Sequence, residues 1–67
     1  MNAVEMKRQI ATEAMTASGL TQEQIAERMG ITQAYISKIK RGNAPLERVL
    51  ELVETCGKTL KVHIAQQ

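Results

Sequence analysis

Gly30 is the residue that most restricts how this 67-residue chain can fold. It lies inside QEQIAERMGITQAYISKIKR, residues 22–41, between two short stretches whose apolar residues recur at helical spacing. A turn this tight between two helices needs a residue at positive φ, and glycine alone adopts that conformation without penalty. Ala26, four residues earlier, falls where the two helices touch, and a larger side chain there would push them apart. Ile25, Met29, Ile31, Ile36 and Ile39 supply the apolar contacts, and the remaining positions of the segment are polar. The pattern specifies two short helices at a fixed angle, the second with a polar side turned outward.

The rest of the chain predicts further helices and one change of period. A first helix is expected from about Ala3 to Ala17, with Val4, Ala11, Ala14 and Met15 as its apolar stripe, flanked by Met6 and Ile10. Ser18-Gly19 should end it. The second helix opens with Thr21 and Gln24 as a capping box and Leu20 against Ile25 as a hydrophobic staple. Thr32 is the expected N-cap of the third, and Ile31 and Ile36 repeat the staple spacing. Gly42-Asn43 breaks that helix and Pro45 marks the start of a fourth. There Leu46, Val49, Leu50 and Val53 are expected to face the core, Glu47, Glu51 and Glu54 to face solvent, and Gly57 to cap the end. Residues 1–57 thus read as one helical domain.

From Lys58 to Ile64 polar and apolar residues alternate, with β-branched Thr59, Val62 and Ile64, which argues for a strand. No second strand is evident elsewhere, so its backbone ladder would need a partner from outside the chain. A second copy is the simplest source, and residues 58–67 therefore predict a dimerisation strand, with Leu60, Lys61, Val62, His63 and Ile64 at the interface. A two-fold axis through Lys61 would set two ammonium groups opposite each other. Centring on Val62 instead pairs Leu60 with Ile64 and Lys61 with His63, and leaves one continuous apolar face.

Composition narrows the classes of function. With no Trp, no Phe and one Tyr, the core must be aliphatic. A chain of this size buries only about 60% of its unfolded surface and is marginally stable as a monomer. One cysteine excludes an internal disulfide, and no zinc-ligand pattern is present. No apolar run approaches the roughly 20 residues of a membrane span and no signal peptide is evident, so a cytoplasmic protein is expected. Net charge is only +2, but it is unevenly placed. No carboxylate occurs between Glu27 and Glu47, where Arg28, Lys38, Lys40 and Arg41 all fall. A basic face in an otherwise balanced chain suits a polyanionic partner; an ordinary solvated surface is the competing explanation.

The segment TQEQIAERMGITQAYISKIKRG closely resembles the Cro/cI-type (XRE) helix-turn-helix family of repressors, with the Thr-Gln opening, the alanine, the glycine and the Ile-Ser pair all matching. The likeness spans roughly residues 3–56. It implies a mainly α, four-helix, DNA-binding domain whose second and third helices form the DNA-reading unit. In that family a fifth helix often makes the dimer contact. Here a strand is expected in its place, paired across a homodimer, which resembles antitoxins of the HipB type and some HigA-like regulators.

The resemblance also implies where DNA would be touched. A third helix in the major groove points its first turns at base edges. Gln33 suits adenine N6 and N7, Lys38 suits guanine O6 or N7, Ala34 offers a contact for the thymine methyl, and Ser37 can donate or accept. Gln22 matches the family's phosphate-binding glutamine at a helix N-terminus, where free N–H groups already favour an anion. Thr32, Tyr35, Lys40, Arg41 and Asn43 complete the expected phosphate contacts. The Tyr35 hydroxyl could serve this role, or its ring could pack against the second helix; Arg28 could touch backbone or simply be solvated.

The remaining chemistry-bearing residues have plainer explanations. Cys56 reads as a small core residue. His63 is a lone histidine in a chain without aspartate, which gives a metal site little support. Glu47, Glu51 and Glu54 form a carboxylate row with no nucleophile beside it. No enzyme, cofactor or metal is expected. The chain is expected to be a sequence-specific transcriptional regulator, a homodimeric repressor of its own operon on pseudo-palindromic double-stranded DNA. The alternative is an antitoxin that neutralises a partner toxin and autoregulates its operon. The three residues after the strand are too few for a long toxin-wrapping segment.

Overall fold

The computed structural model describes the backbone of residues 2–65 and the side chains of residues 2–57. Four helices follow in order: α1 (Ala3–Ser18), α2 (Gln22–Met29), α3 (Gln33–Lys40) and α4 (Leu46–Ala65). Each of the first three begins and ends where local chemistry directs. The Asn2 side chain caps α1 by accepting from the Glu5 amide at 2.8 Å. Ser18 then donates to the Met15 carbonyl and accepts from the Leu20 amide, turning the chain out of the helix. The expected capping box at α2 is formed. Thr21 Oγ1 accepts from the Gln24 amide at 3.1 Å, and Gln24 Oε1 accepts from the Thr21 amide at 2.8 Å. Gly30 ends α2 at φ +70°, and the next amide, that of Ile31, donates to the Ala26 carbonyl at 3.0 Å.

The core is small and aliphatic. Ala11, Ile25, Ala26, Ile36, Ile39, Ala44, Val49, Leu52 and Cys56 are buried, with Ile10, Ala14, Met15, Leu20, Met29, Ile31 and Tyr35 packed around them. Ala26 is only 4% exposed, as a close helix contact requires. Helix α1 packs mainly on α4, and also on α3; α2 packs on both α3 and α4. The α2–α3 unit is therefore buttressed from behind and leaves one side of α3 to solvent.

A second glycine is set by tertiary contact. Gly42, buried after α3, has φ +82°. A Cβ there would run into the carbonyl oxygen of Val4 in α1. Beside it, Lys7 donates through Nζ to the Ala44 carbonyl at 2.8 Å, so the first turns of α1 hold the loop that follows α3.

Three expectations need correction. In α4 the buried stripe is Val49, Leu52 and Cys56; Leu46 and Leu50 are 53% and 54% exposed, and Val53 is half-buried. Two apolar stripes run along this helix, and packing against α1 and α2 selected the other one. In α1, Val4 and Met6 are exposed at 43% and 50%.

The third correction concerns the tail. Instead of a strand over residues 58–64, the backbone stays helical through Gly57 to Ala65. A helix satisfies its N–H and C=O groups within the chain, which an isolated strand cannot do. Leu60 and Ile64, two steps apart in an alternating reading, are also one helical turn apart, so the same letters fit both periods. The Val62-centred ribbon consequently has no strand to rest on. The side chains of Leu60, Lys61, Val62, His63 and Ile64, expected at a dimer interface, lie outside the described residues.

Candidate nucleic-acid interface

Helix α3 has two unlike sides. Ile36 and Ile39 are fully buried, whereas Gln33, Ala34, Lys38 and Lys40 are exposed and Ser37 is half-buried. All four residues expected to face bases (Gln33, Ala34, Ser37, Lys38) fall within the first six positions of this helix. The first turn of α3 carries no acidic residue, and its last turn carries Lys38 and Lys40. Thr32 caps it, its Oγ1 accepting from the Tyr35 amide at 3.1 Å. The Thr32 hydroxyl is thus spoken for as an acceptor and keeps its own proton to donate.

Gln22 binds the two helices together. Its Nε2 donates to Ser37 Oγ at 2.6 Å and to the Gln33 carbonyl at 3.0 Å. A side chain at the start of α2 therefore grips α3 at two points on its outward side. Both protons of Nε2 are thereby committed to α3. Lys40 and Gln22 border one shallow cleft together with Thr12, Met15, Thr16 and Leu20, so the two expected phosphate contacts stand beside each other. Arg41 and Asn43 are exposed where the chain leaves α3, and the Asn43 amide donates to the Lys38 carbonyl at 3.1 Å. Lys40, Arg41 and Asn43 thus gather where the chain leaves α3.

Tyr35 packs against the core cluster that includes Ile25 and Ala26 of α2. Its half-buried ring lies under Lys38 Nζ at 5.9 Å and Arg48 Cζ at 5.6 Å from the centroid, within reach of a cation–π attraction. Ile31 and Thr32 complete the cleft around it. Arg48 donates to Glu51 at 3.0 Å. That bond and the neighbouring carboxylate charge, with the Tyr35 oxygen, raise the guanidinium pKa. Arg48 was not among the expected site residues. It sits outside the carboxylate-free window, four residues after Ala44, and nothing in its own spacing links it to Tyr35. Arg28 is exposed at the end of α2.

Cys56 is buried on α4. Loss of hydration pushes its thiol pKa up, against a smaller opposing pull from the Ser18 hydroxyl and the Arg28 charge. A protonated, enclosed thiol is a packing group. Among the described residues, no cluster of three His, Cys, Asp or Glu could hold a metal ion, and no helix is long and apolar enough to cross a membrane.

A short helix held across a neighbour by a glycine turn, with one side buried and the other polar and basic, defines a helix-turn-helix DNA-binding domain. A family model described as Helix-turn-helix matches residues 13–62, and the chain belongs to this family of Cro/cI-type (XRE) DNA-binding transcription regulators. No curated protein and no solved structure matches it.

Proposed function

We propose that the protein is a homodimeric repressor of its own operon, binding a pseudo-palindromic operator with one α3 helix in each of two successive major grooves about 34 Å apart. The observation that carries this is the polarity of α3: Ile36 and Ile39 are locked in the core while Gln33, Ala34 and Lys38 are exposed where they could meet base edges. In this arrangement Gln33 and Lys38 read purine edges, Ala34 meets a thymine methyl and Ser37 adds a weakly selective hydrogen bond. Thr32, Tyr35, Lys40, Arg41 and Asn43 hold the phosphates on either side and fix the register, and Gln22 joins them when its side-chain amide turns from α3 to the DNA backbone. Repression follows from occlusion of the promoter, and the protein works in the cytoplasm with the DNA it binds.

Selection of bound sequences from a random duplex pool tests this. Enrichment of a two-fold symmetric site with half-sites one helical turn apart is the expected result. Recovery of no enriched sequence at moderate salt would sink it. An antitoxin would use the same DNA-facing residues; isolation of the protein in stable complex with a second gene product would turn the function toward that alternative.

A further inference from the structure

Helix α4 carries an apolar stripe that its own domain does not cover. Leu46 and Leu50 are more than half exposed and Val53 is half-buried, while Gly57 has open space where a Cβ would stand. The steps between them are four, three and four residues, the spacing of a two-helix seam. In the sequence Leu60 and Ile64 follow at three and four more, and the helix continues through both positions. Charge along α4 is divided as well. Glu47, Glu51 and Glu54 fall in its first half and Lys58 and Lys61 in its second. Arg48 in the first half pairs with Glu51 and lies over Tyr35, so that half carries a net charge of −2 against +2 for the second.

We infer that this stripe is the seam of the homodimer and that its occupant is α4 of a second copy, running antiparallel. The inference rests on the homodimer proposed above and names its surface. Charge chooses the orientation: antiparallel helices set the acidic half of one copy beside the basic half of the other and bring only the two Glu54 positions near each other, whereas parallel helices would align all three carboxylates with their counterparts. The register that sets Val53 level with Gly57 of the partner subunit also brings positions 46 and 50 level with 64 and 60. Gly57 then explains itself, because a residue without a side chain lets two backbones approach near the two-fold axis. The seam also leaves α3 free. Arg48, which reaches back to the α3 residue Tyr35, is two residues from both Leu46 and Leu50, about 160° around the helix. Two copies can therefore join through α4 while both α3 helices face DNA.

Sedimentation equilibrium of the full chain, wild type and Leu50→Glu, tests the seam. Position 50 is exposed within one copy, so the variant should keep the wild-type helical circular dichroism and melting cooperativity. Its dimer dissociation constant should rise more than about 30-fold, as for loss of a well-packed interface anchor. Spin labels on Glu47→Cys or Glu54→Cys, each in a Cys56→Ala background, test the orientation. Antiparallel helices place the two 47 positions about 25 Å apart and the two 54 positions about 10 Å apart; equal short distances at both sites would overturn it. A wild-type chain that stays monomeric at micromolar concentration and on its operator removes the homodimer itself and gives the stripe to a different protein. A Leu50→Glu chain that dimerises as the wild type does removes only this surface.

Discussion

Gln22 and Ser37, fifteen residues apart in the chain, are joined by a hydrogen bond of 2.6 Å from Gln22 Nε2 to Ser37 Oγ. One end of α2 is thereby fastened to the outward side of α3, at a residue expected to face bases. With the second bond to the Gln33 carbonyl, the tether fixes the pitch of α3 before any DNA is present. Gln22→Ala should lower stability by about 1 kcal/mol, the net worth of such bonds. Operator affinity should fall by more than that loss explains. Urea midpoints read beside binding isotherms separate the two effects; equal losses would leave Gln22 a purely structural residue.

Lys40 and Arg41 should act on affinity without acting on sequence. Replacing either by Ala removes one phosphate contact, so the slope of log K against log salt should shrink by about 0.9 per residue. Gln33→Ala should behave in the opposite manner, costing about 1–3 kcal/mol at one base pair and relaxing preference there. Titrations over a range of salt, on the operator and on single-substitution operators, check both. A uniform loss across all operators for Gln33→Ala would take it out of the base-reading set.

The three glycines at or after the reading helices should respond differently to alanine. Gly30→Ala meets no neighbour but must hold a left-handed φ, which costs about 1–2 kcal/mol. Gly42→Ala carries the same penalty and also collides with the Val4 backbone, so it should be the more damaging of the two. Gly57→Ala lies inside α4 in open space and should gain about 0.8–1 kcal/mol of helix stability in a single copy. Denaturant melts of the three variants give the order directly, and a Gly42→Ala melt equal to that of Gly30→Ala would contradict it.

Cys56 links stability to alkaline pH. Burial raises its thiol pKa in the fold above the unfolded value, so the folded state prefers the protonated form. This contribution is intact below the ordinary thiol pKa of about 8.5 and is lost as pH rises from there through the folded value. Stability should therefore fall with pH in that window, and the part due to Cys56 should be absent in Cys56→Ala. Native protein should also react slowly with a thiol reagent at pH 8 and quickly once unfolded. Rapid native labelling at the unfolded rate would contradict the enclosed thiol.

Much of the site was legible because its determinants are local. Thr21 with Gln24, Thr32 with the Tyr35 amide, and Gly30 at positive φ are decided within four residues of chain. The exposed polar side of α3 follows from the spacing of Ile36 and Ile39. Partners distant in sequence were not legible. Neither the Gln22–Ser37 bond nor the stacking of Arg48 over Tyr35 leaves a mark in spacing, because each depends on how α2 and α4 lie across α3.

The sequence by itself determined three helix starts, the glycine turn and the side of α3 that stays polar, since hydrogen bonds and backbone torsions of neighbouring residues suffice for these. Only the tertiary structure decided which of two apolar stripes on α4 is core: Val49, Leu52 and Cys56 are covered, and Leu46 and Leu50 are left to solvent. Both stripes have helical period and similar hydrophobicity, so the choice belongs to the helices packed against α4. The tail followed the same rule. Its alternating letters fit a strand or a helix, and the helix prevailed in a single chain because it alone pairs its backbone groups without a neighbour.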